Sequence, residues 1–372
     1  MKILIIGGHL TPALCVIENL KNEEVFYIGR KHALEGDSAL SLEYQTINKF
    51  KIPFYEIKTA RFQRKITRYT LFSFLKFPAG FLQAVKILKQ TKPDVVVGFG
   101  GYVSIPVIIS AYFLKIPSVI HEQTLEIGFA NRILSPFATK ICISWQSSFK
   151  FFPKSKTILT GLPIKKDIIS AKKSPKKGSN EKQKQDLPFL YITGGSLGSH
   201  KINNLVEEII PKLLNNFYIL HQTGESGFKD YEKLIDLKNS LKEELSKRYE
   251  ITRFLQSKDV TNILSKADLV VSRSGINTVT ELLFLQKPAF LIPIHFSQKN
   301  EQFKNALILK DAGLGEIGDE KILSPQDLLD KLLYMRKNLH SYKIKFPKDL
   351  MDDKASLRII NVLKDVAGKK KT

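Results

Sequence analysis

The chain is expected to be an α/β protein made of two doubly wound, Rossmann-like domains facing across a cleft, and three observations lead there. Short β-branched runs alternate with amphipathic segments along nearly the whole length. Four of those runs end in glycine turns that open into helices: Gly7-Gly8-His9, residues 98–102, residues 194–199, and Arg273-Ser274-Gly275. The alternation breaks once, at a lysine-rich stretch over 165–186, and then resumes on the same plan. At 372 residues there is room for about two domains, each with its own core. The expected divisions are 1–164, a linker or insertion over 165–186, 187–350, and a C-terminal helix with a basic tail over 351–372.

Residues 3–6 form the first expected strand. Thr11-Pro12 opens a helix, proline suiting the first helical position, with Leu14, Val16, Ile17 and Leu20 inward. Residues 25–28 are the next strand. From 41 to 65 the pattern is mixed, no element is assigned, and the stretch ends in Arg61, Arg64, Lys65 and Arg68. A Phe/Leu-rich segment follows over 69–88. Strands are then expected at 94–97, 118–121, 140–144 and 157–160, with helices at 105–114 and 129–134. The stretch 165–186 carries eight lysines among Ser, Gly, Pro, Gln and Asn. It reads as a solvated linker, with a polyanion-binding arm as the alternative. Beyond it, strands are expected at 189–193, 218–221, 251–255, 269–272 and 289–294. The helices between and after them are expected at 202–214, 230–247, 260–267, 301–312, 325–339 and 354–367.

Charge narrows the partners. Fifty-eight Lys+Arg against 36 Asp+Glu leave +22, which calls for something anionic: nucleic acid, an acidic membrane surface or a phosphorylated substrate. No basic–aromatic module of the usual kinds is present, so nucleic acid is not expected. Cys15 and Cys142 sit in apolar segments and read as reduced core residues. Met1-Lys2 runs straight into a strand, so no signal peptide is expected, and the longest apolar run, 103–114, is too short to span a bilayer. A cytosolic location follows.

The richest stretch for chemistry is 268–281. A buried strand feeds a tight turn and then a helix capped by Asn277 or Thr278 and running to Gln286, leaving peptide N–H groups at the positive end of a helix dipole, where phosphate binds. The plain alternative is a capping box in which Glu281 reaches back to cap its own helix from Thr278. His9 follows a glycine turn at the C-terminal edge of the first strand, where open α/β sheets bind ligands, and suits a general base. His121-Glu122-Gln123 holds the same place on a later strand, to orient ligand groups or to tie two loops together. The first turn lacks the G-x-G-x-x-G spacing, so a nicotinamide cofactor is not expected. His32, His200, His221, His295 and His340 show no paired metal-ligand spacing, and Asp-x-Asp is absent. A diphosphate would therefore be neutralised by helix N-termini and backbone donors rather than by a metal. The aromatic stretch 69–82 beside its arginines reads either as core or as a membrane-docking face.

Five stretches carry a likeness to a known family: Gly7-Gly-His-Leu-Thr-Pro-Ala13, Gly100-Gly-Tyr-Val-Ser104, His121-Glu-Gln123, Gly194-Gly-Ser-Leu-Gly198, and Arg273-Ser-Gly-Ile-Asn-Thr-Val-Thr-Glu281 with Glu301-Gln-Phe-Lys-Asn-Ala306. In order and spread the chain resembles the MurG family of peptidoglycan glycosyltransferases. The resemblance implies a GT-B fold and an inverting, metal-independent transfer without cofactor. UDP-N-acetylglucosamine would be the donor and a polyprenyl-diphosphate-linked muramoyl peptide the acceptor, at the cytoplasmic face of the cell membrane. It further implies that Glu281 holds the ribose hydroxyls, that Leu255 lies where the backbone reads uracil, and that Ser196 meets the donor diphosphate. Arg273 and Ile276, Asn277, Thr278, Val279 and Thr280 would line the nucleotide site. Gln302, with Glu301, would meet the sugar, and Thr124 and Lys165 would complete the donor set. On the acceptor side it implies His9 beside the attacking hydroxyl, Gly7 and Gly8 beside the lipid diphosphate, and Tyr102, His121 and Glu122 around them. The stretch 69–82 would touch the membrane.

Four departures stand out. The family's first loop, Gly-Gly-Thr-Gly-Gly-His, is shortened here to Gly7-Gly8-His9. Thr124 replaces Asn, Lys165 replaces Arg, and Glu301 replaces Gln. Lys165 keeps the charge of arginine without its bidentate fork. Two alternatives stay open: a same-fold transferase with another lipid acceptor, and a UDP-sugar-binding membrane adaptor without turnover.

Overall fold

The computed structural model describes residues 1–32, 39–57, 68–173, 187–195, 197–225, 227–296, 300–345 and 353–368, the stretch 68–77 by its backbone alone. The chain divides into two compact units, Met1–Lys165 with Asp352–Thr372, and Lys166–Met351.

In the first unit, seven parallel strands run β1 (Lys2–Ile6), β2 (Glu24–Gly29), β3 (Phe54–Glu56), β4 (Val95–Gly98), β5 (Ser118–Glu122), β6 (Lys140–Ile143) and β7 (Thr157–Leu159). Their spatial order is β3-β2-β1-β4-β5-β6-β7. Side chains alternate across the sheet, and each face buries its own cluster. Leu4, Ile6, Val96 and Ile120 share one with the helix Ser104–Phe113. Ile3, Ile5, Val95 and Val97 share the other with the C-terminal helix Ala355–Gly368, through Ile359, Leu363 and Val366. That helix is fastened to the first unit by Arg358 Nε, which donates to the Thr160 carbonyl at 2.8 Å.

The second unit repeats the plan with β8 (Phe189–Thr193), β9 (Tyr218–Gln222), β10 (Tyr249–Thr252), β11 (Leu269–Ser272), β12 (Ala289–Leu291) and β13 (Gly315–Ile317), in the order β10-β9-β8-β11-β12-β13. Leu190, Ile192, Leu269 and Val271 face one core, and Tyr191, Val270, Ala289 and Leu291 the other. In both sheets the strand order reverses between the first and fourth strands, and the crevice outside their C-terminal ends is where such sheets take ligands. The four glycine turns lie at those two places: 7–9 and 98–102 after β1 and β4, 194–199 and 273–275 after β8 and β11.

Several boundaries differ from the sequence expectation. The helix Leu42–Lys49 and strand β3 lie in the stretch read as mixed. The lysine-rich stretch begins as a helix, Lys166–Lys173, whose Ile168 is fully buried and whose Lys172 ammonium lies 4.2 Å from the centre of the Phe284 ring. An amphipathic turn with one inward isoleucine suffices to dock it, so the stretch expected as a linker or insertion opens with a packed helix; 174–186 lie outside the described residues. The expected helix over 202–214 is two, His200–Glu207 and Ile210–Leu213, with Pro211 in the first turn of the second. The expected helix over 230–247 is likewise Asp230–Ser240 and Glu243–Ser246.

Candidate active site

In the first unit, the residues expected around the acceptor gather on one sheet edge. His9 ends the first turn as the N-cap of the helix Leu10–Ile17, so the helix starts before Pro12 rather than at it. Both its backbone N–H and its Nδ1 reach the Phe99 carbonyl, at 3.0 and 2.9 Å. A carbonyl only accepts, so in the neutral ring Nδ1 carries the proton and Nε2 keeps the lone pair. That is the tautomer a general base needs, and its orienting partner Phe99, 90 positions away, is invisible in the sequence.

His121, at the end of β5, is buried, and its ring centre is 5.6 Å from that of Phe99. Burial, opposed by the Gly161 backbone and helped by the neighbouring His9, pushes its imidazole down to about 3. It is therefore neutral at any working pH, in contact with Ser144 Oγ at 3.2 Å. Glu122 is a different case. Its carboxylate accepts from Thr124 N and Oγ1 at 3.0 and 2.6 Å, from Gly128 N at 2.9 Å, and from Asn131 Nδ2 at 3.0 Å. Thr124 Oγ1 lies 2.6 Å from the Glu126 carbonyl as well, and Trp145 Nε1 donates to the Gln123 carbonyl at 2.9 Å. Glu122 and Thr124 thus form a buried network that shapes the loop after β5, the structural alternative named for this motif. Asn131, Ser144 and Trp145 complete it and were missed, since only tertiary packing brings them to the loop. Tyr102 lies partly buried in the second turn, with the Arg30 guanidinium 5.2 Å over its ring, and Lys165 ends the first of the unit's two chain segments.

In the second unit, the described residues expected around the donor follow β10, β11 and β12, whereas Thr124 and Lys165, expected with them, belong to the first unit. Ser196 lies outside the described residues. The helix Ile276–Leu285 starts earlier than expected: its N-cap is Gly275, which has no side chain to cap with. Thr278 is therefore inside the helix and Glu281 in its second turn, so the capping-box alternative does not hold. The first peptide N–H groups of this helix lack a side-chain cap on Gly275, as an anion site requires. Asn277 and Thr278 are partly exposed, while Ile276, Val279 and Thr280 are buried and offer a ligand little but backbone. Thr280 Oγ1 donates to the Ile276 carbonyl at 2.7 Å. Glu281 is largely buried beside Tyr191, whose phenol is pushed up to about 12 by burial, with the Glu281 charge adding to it.

Arg273 is drawn inward. It donates to Ser199 Oγ at 2.7 Å and to the Ile292 carbonyl at 3.0 Å, and pairs with Glu320. Its fork therefore binds four loop segments of its own unit together. Ser274 Oγ donates to the Gln302 carbonyl at 2.7 Å, Gln302 Oε1 accepts from Ile294 N at 3.0 Å, and Asn305 Nδ2 donates to the Ser274 carbonyl at 3.1 Å. Glu301 and Gln302 open the helix Glu301–Asp311, and this lattice ties them to the 273–275 turn. Leu255 follows β10, packed against the core on the Tyr191 face. Ser274, Asn305 and Glu320 are not singled out by the sequence, because only the folded turn brings them together with Arg273 and Gln302.

Two Rossmann-like sheets, each with glycine turns at its switch point, give the GT-B fold. It is shared with the crystal structure of Acinetobacter baumannii MurG, at a TM-score of 0.70 and 24% identity, over 98% of this chain and 99% of that one. A UDP-GlcNAc 2-epimerase from Neisseria meningitidis, bound to UDP-GlcNAc, is similar at 0.66 and 16% identity, over 98% and 100%. Residues 6–143 match the glycosyltransferase family 28 N-terminal domain and residues 189–357 the family 28 C-terminal domain. The chain belongs to glycosyltransferase family 28. Among curated relatives, the UDP-N-acetylglucosamine–N-acetylmuramyl-(pentapeptide) pyrophosphoryl-undecaprenol N-acetylglucosamine transferase of Clostridium kluyveri is 33% identical over 97% of this chain and 98% of its own length. The protein of the same name in Clostridium tetani is 32% identical over 92% and 91%.

Proposed function

We propose that the chain transfers N-acetylglucosamine from UDP-N-acetylglucosamine to the C4 hydroxyl of undecaprenyl-diphospho-N-acetylmuramoyl-pentapeptide, with inversion and without a metal ion. The observation that carries this is the nearly end-to-end relationship to transferases of that name, at 33% identity over 97% of the chain. The geometry of His9 supports its part in the chemistry. Nε2 takes the proton from the acceptor hydroxyl as the oxygen attacks the anomeric carbon, and UDP leaves from the opposite side. Phe99 then steadies the imidazolium through Nδ1. In the donor unit, the charge that builds on the departing diphosphate meets the N-terminus of the helix Ile276–Leu285 and Ser196. Glu281 takes the ribose hydroxyls, the backbone at Leu255 the uracil, and Gln302 with Glu301 the sugar. Thr278 and Asn277 face the nucleotide, Arg273 holds their turn in place, and Lys165 adds positive charge. On the acceptor side Gly7, Gly8 and Tyr102 frame the lipid diphosphate. His121 and Glu122 with Thr124 hold the loop beside it.

A peripheral seat on the anionic cytoplasmic face of the membrane fits the surface. No helix among the described residues is long and apolar enough to cross a bilayer. The chain nevertheless carries +22, and the neighbouring helices Arg68–Thr91 and Ser104–Phe113 expose Leu82, Tyr112 and Phe113 at 72%, 53% and 73%. Apolar side chains on a cationic surface suit an acidic lipid interface.

The test is direct. Incubated with radiolabelled UDP-N-acetylglucosamine and the muramoyl lipid in excess EDTA, the protein should form a labelled disaccharide lipid at the rate seen with added magnesium. Absence of labelled lipid under both conditions overturns the reading, and a strict magnesium requirement overturns its metal-free form.

A further inference from the structure

One half-buried carboxylate beside the first glycine turn has no part in the chemistry above. Ser41 caps the helix Leu42–Lys49, accepting from Tyr44 N at 3.1 Å while its hydroxyl donates to the Arg30 carbonyl at 2.6 Å. This fixes the start of the helix to the end of β2 and aims Glu43, in the first helical turn, at the first glycine turn. Glu43 Oε1 accepts from the buried Tyr27 hydroxyl at 2.8 Å, and Oε2 from Arg30 N at 3.2 Å. A Cβ built on Gly7 would lie 1.8 Å from Glu43 Oε1, and one on Gly29 2.8 Å from Oε2. Two strand-end residues are therefore glycine where the Glu43 carboxylate fills the space of a methyl group. Gly7 N in turn donates to the Ile28 carbonyl at 2.7 Å, and two residues on, His9 is held from the other side by Phe99. The turn is thus gripped between Glu43 and Phe99. The Arg30 guanidinium extends the grip to Tyr102 in the second turn.

We propose that Glu43 is a positioning residue for glycosyl transfer: its carboxylate clamps the shortened first glycine turn and so sets where His9 presents Nε2. This rests on the transferase reading of the chain.

The energetics agree. Burial raises the pKa of Glu43 against the opposing hydrogen bonds of Tyr27, Arg30 and Gly8 and the charge of Arg30. A carboxyl with a folded pKa above its unfolded value contributes stability at low pH, lost as pH rises through the folded value. Burial disfavours the charged form of this carboxyl, so a neutral isostere of the same shape is the variant least expected to weaken the fold.

The experiment uses full-length protein at pH 7.5. Glu43→Gln should melt at or above the wild-type temperature and leave the KM for UDP-N-acetylglucosamine unchanged, while kcat falls on the order of 10- to 100-fold, the scale of a misplaced catalytic group. Gly7→Ala should lower the melting temperature in the wild-type background and do so much less in a Glu43→Ala background. Wild-type kcat in an otherwise active Glu43→Gln protein overturns the proposal. So does a kcat loss matched by lower melting temperature and weaker donor binding, which marks a merely structural role. If the wild type itself transfers nothing, the transferase reading falls separately, and additive melting shifts in the Gly7/Glu43 cycle would still overturn the clamp.

Discussion

Replacing His9 by alanine should lower kcat on the order of 10²- to 10⁴-fold, the usual contribution of a positioned general base, while UDP-N-acetylglucosamine still binds as to the wild type. The split follows from the structure. His9 belongs to the first unit, where its Nδ1 is committed to the Phe99 carbonyl at 2.9 Å and Nε2 is left with the lone pair. The residues assigned to the nucleotide, Glu281 and the start of its helix, belong to the second. Steady-state kinetics with the lipid acceptor, beside calorimetric titration with UDP-N-acetylglucosamine, measures both halves. A variant that keeps its turnover would remove His9 from the chemistry. His121 does not offer a substitute base, because burial holds its imidazole down at about 3.

Gly198→Ala should be among the most destabilising single changes in the second unit. Gly198 has φ of +76°, in the left-handed region, and an added Cβ would stand 2.0 Å from the Thr223 carbonyl oxygen and 2.7 Å from Gly224 Cα. Neither neighbour is a side chain that can swing away; both are the backbone of the turn after β9. The left-handed conformation alone costs a non-glycine residue about 1–3 kcal/mol, and overpacking adds a similar amount. For a unit of this size, each 1 kcal/mol moves the melting temperature by about 2–4 °C. A drop of roughly 5 °C or more is therefore expected by calorimetry, with loss of donor affinity, since the 194–199 turn is the one assigned to the donor diphosphate. An unchanged melting temperature would mean that the two turns are not packed backbone to backbone.

These two positions also show what a sequence can reveal. Glycine turns are visible because few other residues tolerate the conformation, and the strand before each is a plain β-branched run. The fold class and the two sheet edges follow from that. Shorter or more polar elements are hidden: Leu42–Lys49 has only Ile47 fully buried, and β3 is three residues long. The start of the helix Ile276–Leu285 was misread because Thr278 and Glu281 copy the spacing of a capping box, whereas the real cap is Gly275. In the lysine-rich stretch, charge conceals the single inward Ile168.

Candidate positions can be named from the sequence, but not what holds each side chain in the fold. Glu122 and Arg273 look like ligand contacts in the sequence, being polar residues at strand ends. In the fold the Glu122 carboxylate is enclosed by Thr124, Gly128 and Asn131, and the Arg273 fork is tied to Ser199, Ile292 and Glu320. Glu43 is the reverse case. It lies 36 positions from Gly7, on a helix that periodicity did not reveal, and only the strand order brings the two together.

The most direct measurement is a crystal structure with UDP-N-acetylglucosamine bound. The ribose hydroxyls should lie on the Glu281 carboxylate, and the diphosphate against the 194–199 turn and the first N–H groups of the helix Ile276–Leu285. A nucleotide bound elsewhere, with Glu281 making no contact to it, would contradict the assignment of the donor site and the mechanism built on it.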